Sequence, residues 1–230
     1  MVEKWIEKGV THCKNTAFEK GVECFNKALS LDHENIQAVY NRGRALSRLG
    51  NLKASLKDFE KLTQLQPTNA SFIGDYAVAL HLNEKNDEAL IQFNLALSLE
   101  PQNPYRYASR AFYYDRIGKL EESIQDYEKT IELDPEDAIA LNNKGLVEEK
   151  LGYKDKAKTS FDQSNQKMGY DPEKSPALKD AQAQNQTLKS TETKKGNKKD
   201  LNSRWDVFQT LATKDGLKDF VRFIKNGLKK

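Results

Sequence analysis

The chain has 230 residues, 37% of them hydrophobic and 31% charged, with a net charge of +3. No run of ~18 apolar residues is present to span a bilayer, and Glu3, Lys4, Glu7 and Lys8 break up the region after Met1, so a cytoplasmic chain without a signal peptide is expected. Two cysteines, Cys13 and Cys24, and three scattered histidines give no metal-ligand spacing. With no glycine-rich phosphate loop, HExxH or GxSxG motif either, neither a cofactor nor catalysis is expected.

Phe25, Phe59, Phe93, Tyr127 and Phe161 stand 34 residues apart. Such a period marks a helical-hairpin solenoid, in which each unit buries its apolar face only against its neighbours. Small residues keep the same register at Gly9, Gly43, Ala77, Ala111 and Gly145, and again at Gly21, Ser55, Ala89, Ser123 and Ala157. A large apolar column runs through Trp5, Val39, Ile73, Tyr107 and Leu141, and a helix-stopping column through His33, Pro67, Pro101, Pro135 and Gly169. Repeats therefore span 2–35, 36–69, 70–103, 104–137 and 138–171, each a helix A, a tight turn and a helix B. Gly50 and Gly118 suit the left-handed residue that ends helix A; in repeat 3, within Asn83-Glu84-Lys85-Asn86, asparagine is expected in that role.

Along helix B, Val22, Leu56, Leu90 and Ile124 form one expected buried column, and Leu31, Leu65, Leu99 and Leu133 another. In repeat 5 these become Lys158 and Lys167, beside Ser164 and Asn165, the polar outer face of a terminal repeat. The pairs Glu121-Glu122 and Glu148-Glu149 read as solvated helix surface, since adjacent helical positions do not face one another. His12 shares a column with Leu46, Leu80 and Tyr114, which points to packing.

These columns resemble the tetratricopeptide repeat family, over about residues 2–169, in stretches such as "YRYASRAFYYDRIGKLEESIQDYEKTIELDPED". The resemblance implies an all-α, right-handed superhelical solenoid of five helical-hairpin repeats. It also implies a non-enzymatic scaffold or adaptor that holds a peptide or helix of a partner protein in a concave groove lined by the A helices. The family's groove positions fall on Ile6, Val10, Tyr40, Asn41, Arg44, Ser71, Asp75, Val78, Tyr105, Ser109, Phe112, Asn143 and Leu146. Tyr40, Arg44, Tyr105 and Phe112 are of the types that dominate binding hot spots.

Family members that hold the acidic tails of heat-shock chaperones use two lysines, two asparagines and an arginine from three successive A helices. The matching places are Ile6, Val10, Asn41, Ser71 and Asp75 in repeats 1–3, and Tyr40, Arg44, Asp75, Tyr105 and Ser109 in repeats 2–4. Only Asn41 fits, and Asp75 has the wrong sign, so a chaperone tail is disfavoured as partner. A cationic column of Lys14, Arg48, Arg116 and Lys150, broken by Leu82, lies in the last turn of helix A, where positive charge offsets the helix dipole.

Beyond the repeats, residues 172–200 read as a flexible lysine-rich linker, with a short capping helix from Ser175-Pro176. Residues 172–230 hold 14 Lys and Arg against 7 Asp and Glu, a net +7, which leaves −4 for residues 1–171. Residues 201–230 read as a basic amphipathic helical hairpin with Trp205, Phe208, Leu217, Phe220, Val221, Ile224 and Leu228 as its docking stripe. Its open roles are docking on the solenoid, which would be autoinhibitory if it occupies the groove; binding another protein; or tethering to a membrane surface or a nucleic acid, the nucleic acid being disfavoured.

Overall fold

In the computed structural model, which describes residues 1–169, each 34-residue unit folds as two antiparallel helices. The A helices are α1 (Val2–Lys14), α3 (Ile36–Arg48), α5 (Ala70–Leu82), α7 (Pro104–Arg116) and α9 (Ala138–Lys150). The B helices are α2 (Phe18–Leu31), α4 (Leu52–Leu65), α6 (Asn86–Leu99), α8 (Leu120–Leu133) and α10 (Lys154–Lys167). The assignments of the linker, the capping helix and the docking stripe from Trp205 to Leu228 lie outside the described residues.

Helix starts are set by a column that sequence reasoning passed over. Asn35, Asn69, Asn103 and Asp137 precede the last four A helices, and each side-chain oxygen accepts from a backbone N–H in the first turn. Such a cap contributes about 1 kcal/mol. Helix ends follow the expected glycines at Gly50 and Gly118, and Gly152, not singled out in the sequence, does the same in repeat 5; all three are left-handed. In repeat 3, however, Glu84 takes the left-handed conformation (φ 64°), not an asparagine. Asn83 is occupied otherwise: its Nδ2 donates to the carbonyls of Leu52 and Ala79, at 3.1 and 2.8 Å. Thr16 does the same duty as Glu84 in repeat 1.

The aromatic column fills the gap opened by the small one. A Cβ on Gly9 would lie 2.5 Å from the Phe25 ring, and one on Gly145 would lie 2.6 Å from Phe161. Ser55 and Ser123 each donate a 2.8 Å bond to the carbonyl of the facing small residue, Gly43 and Ala111.

Three packing expectations need correction. Leu31 and Leu99 are exposed, and Leu65 and Leu133 only half-buried; at 100° per residue the last turn of helix B has rotated about 80° off the stripe that faces helix A. The buried column there is Ala28, Leu62, Ala96, Thr130 and Ser164. Ser164 is thus core rather than outer face, and its hydroxyl donates to the Ala138 carbonyl at 2.7 Å. Glu148 is not solvated either: it is 2% exposed, accepts from Ser160 at 2.7 Å, and has Lys144 at 3.6 Å.

Each junction between repeats carries a polar pair in one register. Asn26 accepts from Arg42 and Asn94 from Arg110, at 2.9 and 2.6 Å, while Glu128 meets Lys144 at 3.1 Å. Glu60 is placed against Tyr76 in the same way and raises the pKa of its phenol, after burial. Arg42 and Arg110 also clasp Asp58 and Asp126, each donating from Nε and Nη2 along one guanidinium edge. The Asn–Arg–Asp set therefore recurs after two repeats, not one.

Candidate functional site

Successive A helices touch, α1 on α3 and α5 on α7, whereas among the described residues no two B helices share a comparable contact. The A helices therefore line the inner face. Helical spacing puts four columns on that face, those of Gln37, Asn41, Arg44 and Arg48 in repeat 2.

The sequence-derived groove residues divide into two groups. Tyr40, Arg44, Asp75 and Tyr105 converge. The Tyr40 ring packs against Phe72 and Phe59 with centroids 5.6 and 6.3 Å away, and Arg44 lies 5.5 Å over its open side. The Tyr40 hydroxyl donates to Asp75, and burial together with that carboxylate pushes its pKa up to about 12. Asp75 itself is pushed up to about 6 by burial, against the pull of Arg44, the Tyr40 hydrogen bond and Arg106. Tyr105 is 47% exposed at the rim.

The other group serves the helices themselves. Asn41 donates to the Gln37 carbonyl, and the Ser109 hydroxyl to that of Tyr105, both at 2.7 Å within their own helix. Asn143 hydrogen-bonds the buried Tyr127. Phe112 is half-buried on the inner face. Ile6, expected on the open wall, is 4% exposed and packs with Ala28 and Ala38: the second repeat covers it.

Arg106 was missed. It is 6% exposed, and donates from Nε to Glu100 and from Nη2 to Ser71, both at 2.8 Å, which ties repeats 3 and 4 together beneath Tyr105. The signal was an arginine in a column that repeats 2, 3 and 5 fill with Ala38, Phe72 and Ala140, though repeat 1 carries Lys4 there. Val78, Leu82 and Ile139 are exposed apolar residues of the same inner wall. On the opposite side Ile91, Leu95 and Leu99 form an apolar strip along α6 where the other repeats carry mostly polar residues.

Among the described residues no group of three or more His, Cys, Asp or Glu side chains is placed to hold a metal ion. No described helix is long and apolar enough to cross a membrane.

Two family models match, "Tetratricopeptide repeat" over residues 40–104 and "TPR repeat" over residues 113–152. Hsp70-Hsp90 organizing protein 3 of Arabidopsis thaliana is 28% identical over 144 residues, which cover 63% of this chain and 24% of that protein. The chain thus spans about a quarter of the length of such relatives. Among solved structures, a thermophilic TPR protein of Thermus thermophilus superposes with a TM-score of 0.62 at 15% identity, over 80% of this chain and 98% of that one. YrrB, described as a TPR protein with an unusual peptide-binding site, gives a TM-score of 0.53 at 21% identity, over 71% and 84%. Five helical hairpins on a 34-residue period, with both family models falling on them, place this chain in the tetratricopeptide repeat family.

Proposed function

We propose that the chain is a non-enzymatic adaptor whose A helices hold a peptide or helix of a partner protein. The observation that carries this reading is the inner wall of repeats 2–5, where Val78, Leu82, Tyr105 and Ile139 stand exposed beside the polar cluster of Tyr40, Arg44 and Asp75. An apolar wall with a few convergent polar groups is the usual composition of a recognition site. The likeness to a protein named for organizing Hsp70 and Hsp90, and the peptide-binding site of YrrB, support a peptide ligand.

That likeness also counts against the sequence-based exclusion of chaperone tails. Against such tails stand Asp75 on the groove floor and the engaged amides of Asn41 and Asn143. The reading is tested by screening a peptide array, chaperone tails included, with the full chain and with its Tyr105→Ala and Val78→Asp variants. Bound peptides should lose about tenfold or more in affinity in the variants, in keeping with hot-spot losses. Equal binding by all three proteins would remove the inner wall as the site.

A further inference from the structure

The turn-proximal edge of the inner wall carries Lys14, Arg48, Leu82, Arg116 and Lys150, one residue per repeat. Among the described residues only the last has a counter-ion: Lys150 Nζ lies 2.5 Å from Asp115. Arg48 and Arg116 are exposed, and among the described residues neither has a carboxylate within ion-pair distance. Arg48 moreover sits near Arg44, whose charge, after burial, lowers its pKa. Dipole compensation accounts for cations in the last turn of a helix, but not for Arg44 one turn earlier or for Leu82. In this row of cations Leu82 stands 43% exposed, with Val78 of the same helix 42% exposed behind it.

We propose that this edge binds an acidic segment of a partner peptide, with one apolar side chain seated on Leu82 and Val78 between carboxylates held by Arg48 and Arg116. The inference rests on the inner wall being the binding face. Charge complementarity selects the ligand: an anion relieves the Arg44–Arg48 repulsion and pairs guanidinium groups that the described residues leave without carboxylates, and Arg forks suit carboxylates. Leu82 lies between the two arginines in repeat order, so the apolar residue belongs between the two acids. Neighbouring helices lie about 9 Å apart, and a polyproline II chain rises about 3.1 Å per residue and returns to the same face every third residue. Acids about three residues either side of the apolar one therefore match the row. Recognition runs through side chains, so a free terminal carboxylate is not required.

The test uses the full chain and a synthetic peptide, blocked at both ends, with Glu three residues on either side of a single Leu. Its affinity should fall about tenfold or more when both Glu become Gln, and again when Leu becomes Ser. Arg48→Gln with Arg116→Gln in the protein should weaken the Glu peptide by a similar factor, leave the Gln peptide unaffected, and flatten the salt dependence. These are exposed sites, so the urea midpoint should stay put. Equal affinity for the Glu and Gln peptides, or an unchanged double variant, would overturn the assignment while leaving the groove reading intact if Val78→Asp still abolishes array binding. A peptide that binds neither protein overturns it as well, and array ligands that ignore Tyr105→Ala and Val78→Asp sink both readings.

Discussion

Arg106 closes over the bare backbone of Gly74, its Nη1 3.2 Å from the point a Cβ would occupy. The guanidinium has little room to give, since Ser71 and Glu100 hold its other nitrogens. Ordinarily Gly→Ala inside a helix stabilises by about 1 kcal/mol. Here Gly74→Ala should lower the urea midpoint instead, and in an Arg106→Ala background it should raise it. A change of sign across that double-mutant cycle is the readout; the same sign in both backgrounds would mean that Arg106 moves freely.

The Arg42–Asp58 and Arg110–Asp126 pairs are matched copies, each aspartate buried. Removing one partner of a buried pair costs about 3 kcal/mol, whereas replacing both with apolar residues costs far less. Asp58→Ala and Asp126→Ala should therefore each destabilise by about that amount in urea titration. Arg42→Met with Asp58→Leu should recover most of the loss. Unequal effects at the two sites would show that the repeats around them differ in local stability.

Thr16 and Glu84 occupy the left-handed turn positions that Gly50, Gly118 and Gly152 hold in the other repeats. A non-glycine residue there costs roughly 1–2 kcal/mol. Thr16→Gly and Glu84→Gly should each raise the melting temperature by a few degrees, with the β-branched Thr16 giving the larger gain. Scanning calorimetry on the single variants decides it.

Asp75 gives stability a pH signature. Its folded pKa of about 6 exceeds the ordinary value near 4, so the folded chain holds this proton more tightly than the unfolded one. Linkage then makes this contribution to stability fall as pH rises from about 4 to about 6, and above that window the ionised form carries the full penalty. Asp75→Asn should flatten that slope and stabilise the protein at pH 7 by roughly 3 kcal/mol, with little change at pH 4. Urea midpoints collected between pH 4 and 8 check both the window and the sign.

The helices were legible because their period rests on side-chain size: an aromatic against a glycine or alanine leaves one way to close a hairpin. What escaped was polar. Glu148 looks like surface until Ser160 and Lys144 are seen to enclose it. Asn41 and Ser109 sit in groove columns, yet each bonds a carbonyl one turn back, a rotamer choice that column arithmetic does not contain. The environment of Asp75 depends on α3 and α7 arriving from either side, so its neighbours are fixed only by the packing of three repeats.

The recurrence of Asn26–Arg42–Asp58 as Asn94–Arg110–Asp126 bears on how many units such a chain can gain or lose. Excising residues 36–103 would bring Arg110 to the amide that Arg42 had faced, with Asp126 still behind it. Excising residues 36–69 alone would set Tyr76, rather than an arginine backed by a buried aspartate, against Asn26. Copy number in this solenoid should therefore change most easily in steps of two.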